Sequence, residues 1–177
     1  MNSWEHIKDT KVYDGWRKVI RRRLKMPNGI EADFDVVGIG RCVATFALTS
    51  DNKVVCFNTY RPGPAKDLLE MPGGGVEDGE TYEEAAQREL LEETGYTADT
   101  FTLLYEYHKD AYSTGTWGVV CATGATKIQE PELEDGEWGE TKLLTLDEFL
   151  QSLQEGMSTD PAVGYAAMLH LGLLKKA

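Results

Sequence analysis

Short apolar runs with β-like alternation fill most of this chain, and helical spacing of apolar residues is confined to three places. Residues 16–26 and 30–37 are apolar-rich runs flanking Pro27-Asn28-Gly29. Asn-Gly at such a point is a strong hairpin signal, so the two runs are predicted as antiparallel strands. Residues 42–48 and 53–60 predict a second hairpin. Pro62, Gly63 and Pro64 then stop any regular element and shape a loop leading to a short strand at 68–71. Further strands are predicted at 100–108, 117–122 and 141–144, and helices at 147–154 and 162–174. Residues 1–12, polar around Trp4, His6 and Ile7, read as an arm that is either frayed or packed.

The third helical stretch organises the rest. Residues 73–96 read GGGVEDGETYEEAAQRELLEETGY, a glycine-rich loop followed by a short helix. Thr81 is a good N-cap with Glu84 as its capping-box partner, and Gly95 is suited to the C′ position. On that helix Glu89, Glu92 and Glu93 share one sector, because positions i, i+3 and i+4 lie on one face. Carboxylates that close repel each other unless a positive charge lies between them. A hard divalent cation fits, and Mg²⁺ needs only one or two carboxylates besides waters and substrate phosphates. Ala85 and Ala86 allow close packing of the helix, and Arg88 is placed to pin neighbouring carboxylates. The plainer reading of an E/R-rich helix is a solvated face.

The 177 residues suffice for one domain with a real core. A net charge of −12 argues against general nucleic-acid binding, since phosphate backbones are repelled. It does not exclude a small anion delivered with a metal ion, which inverts the local field. Cys42, Cys56 and Cys121 suit neither a zinc site nor a disulfide framework, so reduced thiols in the cytoplasm are expected. No N-terminal apolar run or membrane-length segment is evident. Arg21, Arg22 and Arg23 form a basic run on the first hairpin strand, read either as a charged edge or as a phosphate-attracting surface. The acidic run at 127–140 is an ordinary solvated loop by default, and its place between two strands also allows it to bring a carboxylate over a site.

From Gly74 through Glu80, Arg88, Glu89, Leu90, Glu92, Glu93, Gly95 and Tyr96, the spacing is G-x(5)-E-x(7)-R-E-U-x-E-E-x-G-U, where U is bulky and apolar. Only the aromatic Tyr96 is unusual. In this the chain resembles the Nudix hydrolases, which cleave a nucleoside diphosphate linked to another group. The resemblance covers roughly residues 35–155 and sharpens an α+β layer arrangement to an α/β/α sandwich with a mixed central sheet, preceded by an N-terminal antiparallel hairpin. It implies Mg²⁺, with Mn²⁺ as an alternative, bound by Glu89 and Glu93 with Glu92 and the Gly73 carbonyl as further ligands. The catalytic base would be Glu137 or Glu140, or else Glu92, with Glu80 and Arg88 as orienting groups. Tyr-Arg before a Glu-x-Pro-Gly-Gly entry, here Arg61 and Glu70, is similar to sugar-nucleotide enzymes and implies a substrate-binding role.

The hairpin and the EFLQSLQEGM segment are similar to the ADP-ribose pyrophosphatase branch. There, residues equivalent to 1–37 build a homodimer, so some of Arg21, Arg22 and Arg23 would reach the partner's substrate. One departure is Asp110-Ala111-Tyr112-Ser113, which lacks the Ser-Pro-Gly of dedicated ADP-ribose enzymes and points to a broader nucleoside diphosphate sugar range. Tyr112 is either a stacking surface for base or sugar or an exposed residue without a role. Three functions therefore compete: a nucleoside diphosphate sugar pyrophosphatase, a triphosphate or RNA 5′-end pyrophosphohydrolase, and a non-catalytic sensor. The retained Glu89, Glu92 and Glu93 count against the last.

Overall fold

The computed structural model describes residues 3–174. Among them the chain runs β1 (Glu5–Asp14), β2 (Lys18–Lys25), β3 (Glu31–Gly38), β4 (Cys42–Thr49), β5 (Lys53–Arg61), β6 (Lys66–Glu70), α1 (Tyr82–Thr94), β7 (Tyr96–Thr97), β8 (Thr100–Tyr107), β9 (Trp117–Lys127), β10 (Gly139–Thr145), α2 (Leu146–Gln154) and α3 (Pro161–His170). Backbone contacts gather into two compact units, one within residues 1–41 and 107–116, the other within 42–106 and 117–177.

The first unit is an antiparallel sheet of order β1-β2-β3. The expected hairpin is present: Gly29 has φ of 86° and donates to the Met26 carbonyl at 2.8 Å, closing the turn. The undecided arm is a full strand, β1, which pairs along β2 from Glu5↔Lys25 to Asp14↔Lys18. This makes β2 the middle strand, so the three arginines do not form a charged edge. Successive side chains point to opposite faces of a strand. Accordingly Arg21 and Arg23 pair with Asp35 and Asp33 on β3, while Arg22 pairs with Asp9 on β1. In the same unit Val37 donates to the Tyr112 carbonyl at 2.7 Å and accepts from Thr114 at 3.0 Å, which fastens the 107–116 segment to the end of β3.

The second unit holds a mixed sheet of order β10-β5-β4-β9-β7, extended by β6 on β5 and β8 on β9. β4, sequence CVATFALT, is buried almost end to end, as a central strand covered on both faces requires. It runs parallel to β9, with Phe46 opposite Cys121, and antiparallel to β5, with Ala47 opposite Val55. On one face Tyr82, Ala85 and Ala86 of α1 pack on Val43 and Val120, and Leu90 packs on Ala47 and Val55. The two alanines have no exposed surface, so they set how closely the helix approaches the sheet. On the other face Phe46 meets Phe149 of α2 edge to face at 5.5 Å. Gly164 of α3 is so close to Leu153 and Phe149 that a Cβ would lie 2.8 and 2.9 Å from them. These are the helix, sheet and helix layers expected from the sequence. The last helix ends at His170, earlier than predicted, because Gly172 turns to φ of 70° and donates to the Leu169 carbonyl. No helix among the described residues is long and apolar enough to cross a membrane.

Candidate active site

The site grows from the two ends of α1. At its start Thr81 accepts from the Glu84 backbone at 3.2 Å and the Glu84 carboxylate accepts from the Thr81 backbone at 2.8 Å, completing the predicted capping box. At its end Gly95 takes φ of 74° and donates to the Leu91 carbonyl. A side chain there is impossible, since a Cβ would lie 2.1 Å from the Gln129 carbonyl oxygen. The Gly95 carbonyl in turn accepts from Ile128 and Gln129, and the Glu92 carbonyl accepts from Glu132. The acidic 127–140 segment is thereby strapped across the C-terminal end of the helix.

Between these ends the carboxylates separate by environment. Glu93 is buried, with Gly73 donating its backbone N–H to Oε2 at 2.9 Å. Burial, reinforced by the charges of Glu89 and Glu137 and only partly opposed by the Gly73 N–H and Arg61, pushes its carboxyl up to about 8. Burial also raises Glu89, against the pull of Arg88. Glu92 is more open and takes one arm of Arg88 at 3.1 Å.

Arg88 is the hub of the helix surface. Its Nε and Nη2 grip both oxygens of Glu80 at 3.0 and 3.1 Å, Nη1 reaches Glu89 at 2.9 Å, and Nη2 also donates to the Gly75 carbonyl at 2.8 Å. One guanidinium thus fixes the glycine loop to the helix. Gly74 lies directly on Glu89, because a Cβ built there would sit 2.4 Å from Oε1.

From the sheet, β5 and β6 bring Arg61 and Glu70 to the same region. Glu70 is buried, and Arg61 donates to its Oε2 through Nε at 2.7 Å and also through Nη2. Arg61 lies within electrostatic reach of Glu93 and Glu137 as well. Of the two base candidates on the acidic segment, Glu137 is the one whose charge is felt by Glu89, Glu93 and Arg61. Glu140 is exposed and paired with Lys142 beside it on β10. Glu137 itself accepts from the Glu134 backbone at 3.1 Å, and Thr59 holds the next residue by donating to the Trp138 carbonyl at 2.7 Å.

The second unit therefore brings together Gly73, Glu80, Arg88, Glu89, Glu92 and Glu93 with Arg61, Glu70 and Glu137. Arg21, Arg22, Arg23 and Tyr112 belong to the first unit, where the arginines are ion-paired and Tyr112 is exposed. Sequence reasoning missed Thr159, whose hydroxyl lies 2.9 Å from Glu70 Oε1. No local signal marks a threonine so far along the chain from its partner.

Among the described residues no three His, Cys, Asp or Glu side chains are already converged as a closed metal cage. The donor set still suits a divalent cation. Two half- to fully buried carboxylates face a third acidic group, and the Gly73 N–H and the more distant Arg61 only partly offset the charge of Glu93. Such an open, oxygen-only set matches an ion that keeps waters and takes phosphate oxygens from its substrate.

The NUDIX domain family matches residues 39–163, and the chain belongs to this family. It is 30% identical over 154 residues to the methanol dehydrogenase activator of Bacillus methanolicus, covering 84% of this chain and 82% of that protein. It is 29% identical over 145 residues to the ADP-ribose pyrophosphatase of Bacillus subtilis (strain 168), covering 81% and 78%. A crystal structure of an ADP compounds hydrolase superposes with a TM-score of 0.80 at 20% identity, over 97% of this chain and 94% of that one, which shows the shared fold.

Proposed function

We propose that this protein hydrolyses the pyrophosphate bridge of nucleoside diphosphate sugars, ADP-ribose among them, to a nucleoside monophosphate and a sugar phosphate. The observation that carries this reading is the buried Glu93, faced by Glu89 and Glu137 and flanked by Arg61. Glu89 and Glu93, with Glu92 and the Gly73 carbonyl as further donors, would hold Mg²⁺ or, in its place, Mn²⁺, which when bound neutralises the pyrophosphate and acidifies a water. Glu137 is the base that accepts the water proton at its carboxylate. Arg61, braced by Glu70, turns its remaining donors to a phosphate oxygen. Glu80 and Arg88 hold the carboxylates in register. The similarity to an ADP-ribose pyrophosphatase along four fifths of the chain supports the substrate class.

We infer further that the protein acts in the cytoplasm and as a homodimer through its first unit, where Trp16 is 92% exposed and every residue of β1 faces solvent. The decisive test is phosphomonoester release from ADP-ribose, UDP- and GDP-sugars, dinucleoside polyphosphates and triphosphates in the presence of Mg²⁺. Preference for the sugar nucleotides is expected. Turnover of triphosphates alone would replace this reading with the triphosphate or RNA 5′-end one.

A further inference from the structure

The turn between α2 and α3 contributes to this site from a distance in sequence. Met157 accepts the backbone N–H of Leu69 at 2.8 Å, which docks the turn along the free edge of β6. Two residues on, Thr159 Oγ1 lies 2.9 Å from Glu70 Oε1 and 3.0 Å from Asp160 Oδ2. A hydroxyl has one proton to give. The Glu70 side chain is only 9% exposed, so its oxygen loses more if left without a donor than that of the half-buried Asp160 does. The proton therefore goes to Glu70.

That bond has a geometric consequence for Arg61. An arginine meeting a free carboxylate settles into a two-oxygen fork. Here Oε1 is taken by Thr159, and Arg61 places both Nε and Nη2 on Oε2. Its Nη1 is left directed away from Glu70, on a side chain that is 43% exposed and within electrostatic reach of Glu93 and Glu137.

We propose that Thr159 is a positioning residue for the substrate: by occupying one oxygen of Glu70 it sets the orientation of Arg61, whose outer N–H groups then meet a phosphate of the nucleoside diphosphate. This rests on the proposed substrate class for its ligand, and on the hydrogen bonds of Thr159, Glu70 and Arg61 for its geometry.

The experiment compares Thr159→Val and Thr159→Ser. Partners of this indirect kind are worth about 10-fold at the lower end. Thr159→Val is expected to raise KM for ADP-ribose by about that factor with kcat little changed. Thr159→Ser, which keeps the hydroxyl, restores the wild-type KM. In an Arg61→Lys background the valine substitution adds little, since both act through one contact. An unchanged KM, or an effect that adds in full to Arg61→Lys, overturns the proposal, as does a lowered Tm with both kinetic constants intact. Should the wild-type protein turn over no nucleoside diphosphate sugar, the substrate reading fails by itself. Thr159 is then decided by the Arg61 Nε–Hε resonance, identified by its loss in Arg61→Lys. It is expected to shift in Thr159→Val and return in Thr159→Ser, and an unmoved resonance overturns the assignment.

Discussion

Glu93 Oε2 accepts the backbone N–H of Gly73 at 2.9 Å, joining the helix that carries the carboxylates to the loop in front of it. The contact depends on Gly73 sitting flush against β4, where a Cβ would fall 2.1 Å from the Val43 carbonyl oxygen. At the next residue, Gly74, a Cβ would meet the flexible end of Glu89. The two glycines touch different things, so their substitution has different outcomes.

Gly73→Ala pushes backbone against backbone and is expected to lower Tm as well as activity. Gly74→Ala displaces only the Glu89 carboxylate, and is expected to leave Tm near wild type while kcat falls by about 10²-fold, the usual scale for a lost charge-stabilising group. Thermal unfolding paired with steady-state kinetics separates them. Equal Tm losses in both variants would contradict the distinction.

The buried Glu93 predicts a pH dependence of stability. Its carboxyl moves from the ordinary 4.5 in the unfolded chain to about 8 in the folded one. Between those values the native state binds a proton that the unfolded state does not. The stability it contributes is fully present below about 4.5 and is lost as pH rises through about 8. In chelator, Tm of the wild-type protein should therefore decline across that window, and Glu93→Gln should flatten the decline. A variant with the same slope as wild type would refute the assignment. On the proposed metal site a divalent ion would replace the proton, so its binding should release protons at neutral pH, which calorimetry in buffers of different ionisation enthalpy detects.

Glu137→Gln is expected to depress kcat by about 10²–10⁴-fold, the range for loss of a general base, with little change in the metal concentration needed. Glu140→Gln removes only an exposed partner of Lys142 and should stay near wild type. The opposite ranking, read from initial rates over a metal titration, would move the base to Glu140.

The helix, its caps, the carboxylate face and the central strands were legible because each rests on local spacing: Thr81 with Glu84, Gly95, the alanine pair, and apolar runs such as 42–48; the mixed order of the sheet followed only from the family resemblance. β1 was not. Its residues, EHIKDTKVYD, are all exposed, so it carries no buried face to give an alternating pattern. What holds it is pairing with β2 and ion pairs such as Asp9 with Arg22, which exist only once the register is set. Thr159 was silent for a related reason, because its partner Glu70 lies on a strand reached only after the chain has folded back. Proposing Glu137 over Glu140 likewise required knowing that β10 pairs Glu140 with Asn58 and that Glu137 precedes the strand's start.

Self-association is the remaining expectation. Trp4, Tyr13 and Trp16 are 54, 60 and 92% exposed in the first unit. Sedimentation of the full chain should give twice the mass of 19.7 kDa. Combined Tyr13→Glu and Trp16→Glu should shift it to monomer with the far-UV spectrum preserved. A wild-type monomer at all concentrations would end the dimer reading.

The strap over the helix end carries one more implication. The acidic segment is anchored at one foot by the Gly95 and Glu92 carbonyls and at the other by Thr59 on the Trp138 carbonyl. Between those feet Glu137 closes a turn with Glu134, its backbone N–H on the Glu134 carbonyl at 3.0 Å and its carboxylate on the Glu134 N–H at 3.1 Å, one residue before the carbonyl that Thr59 pins. The carboxylate is thus mounted like a bracket beside the sheet edge, and its place follows from where β10 begins rather than from the length of the acidic segment.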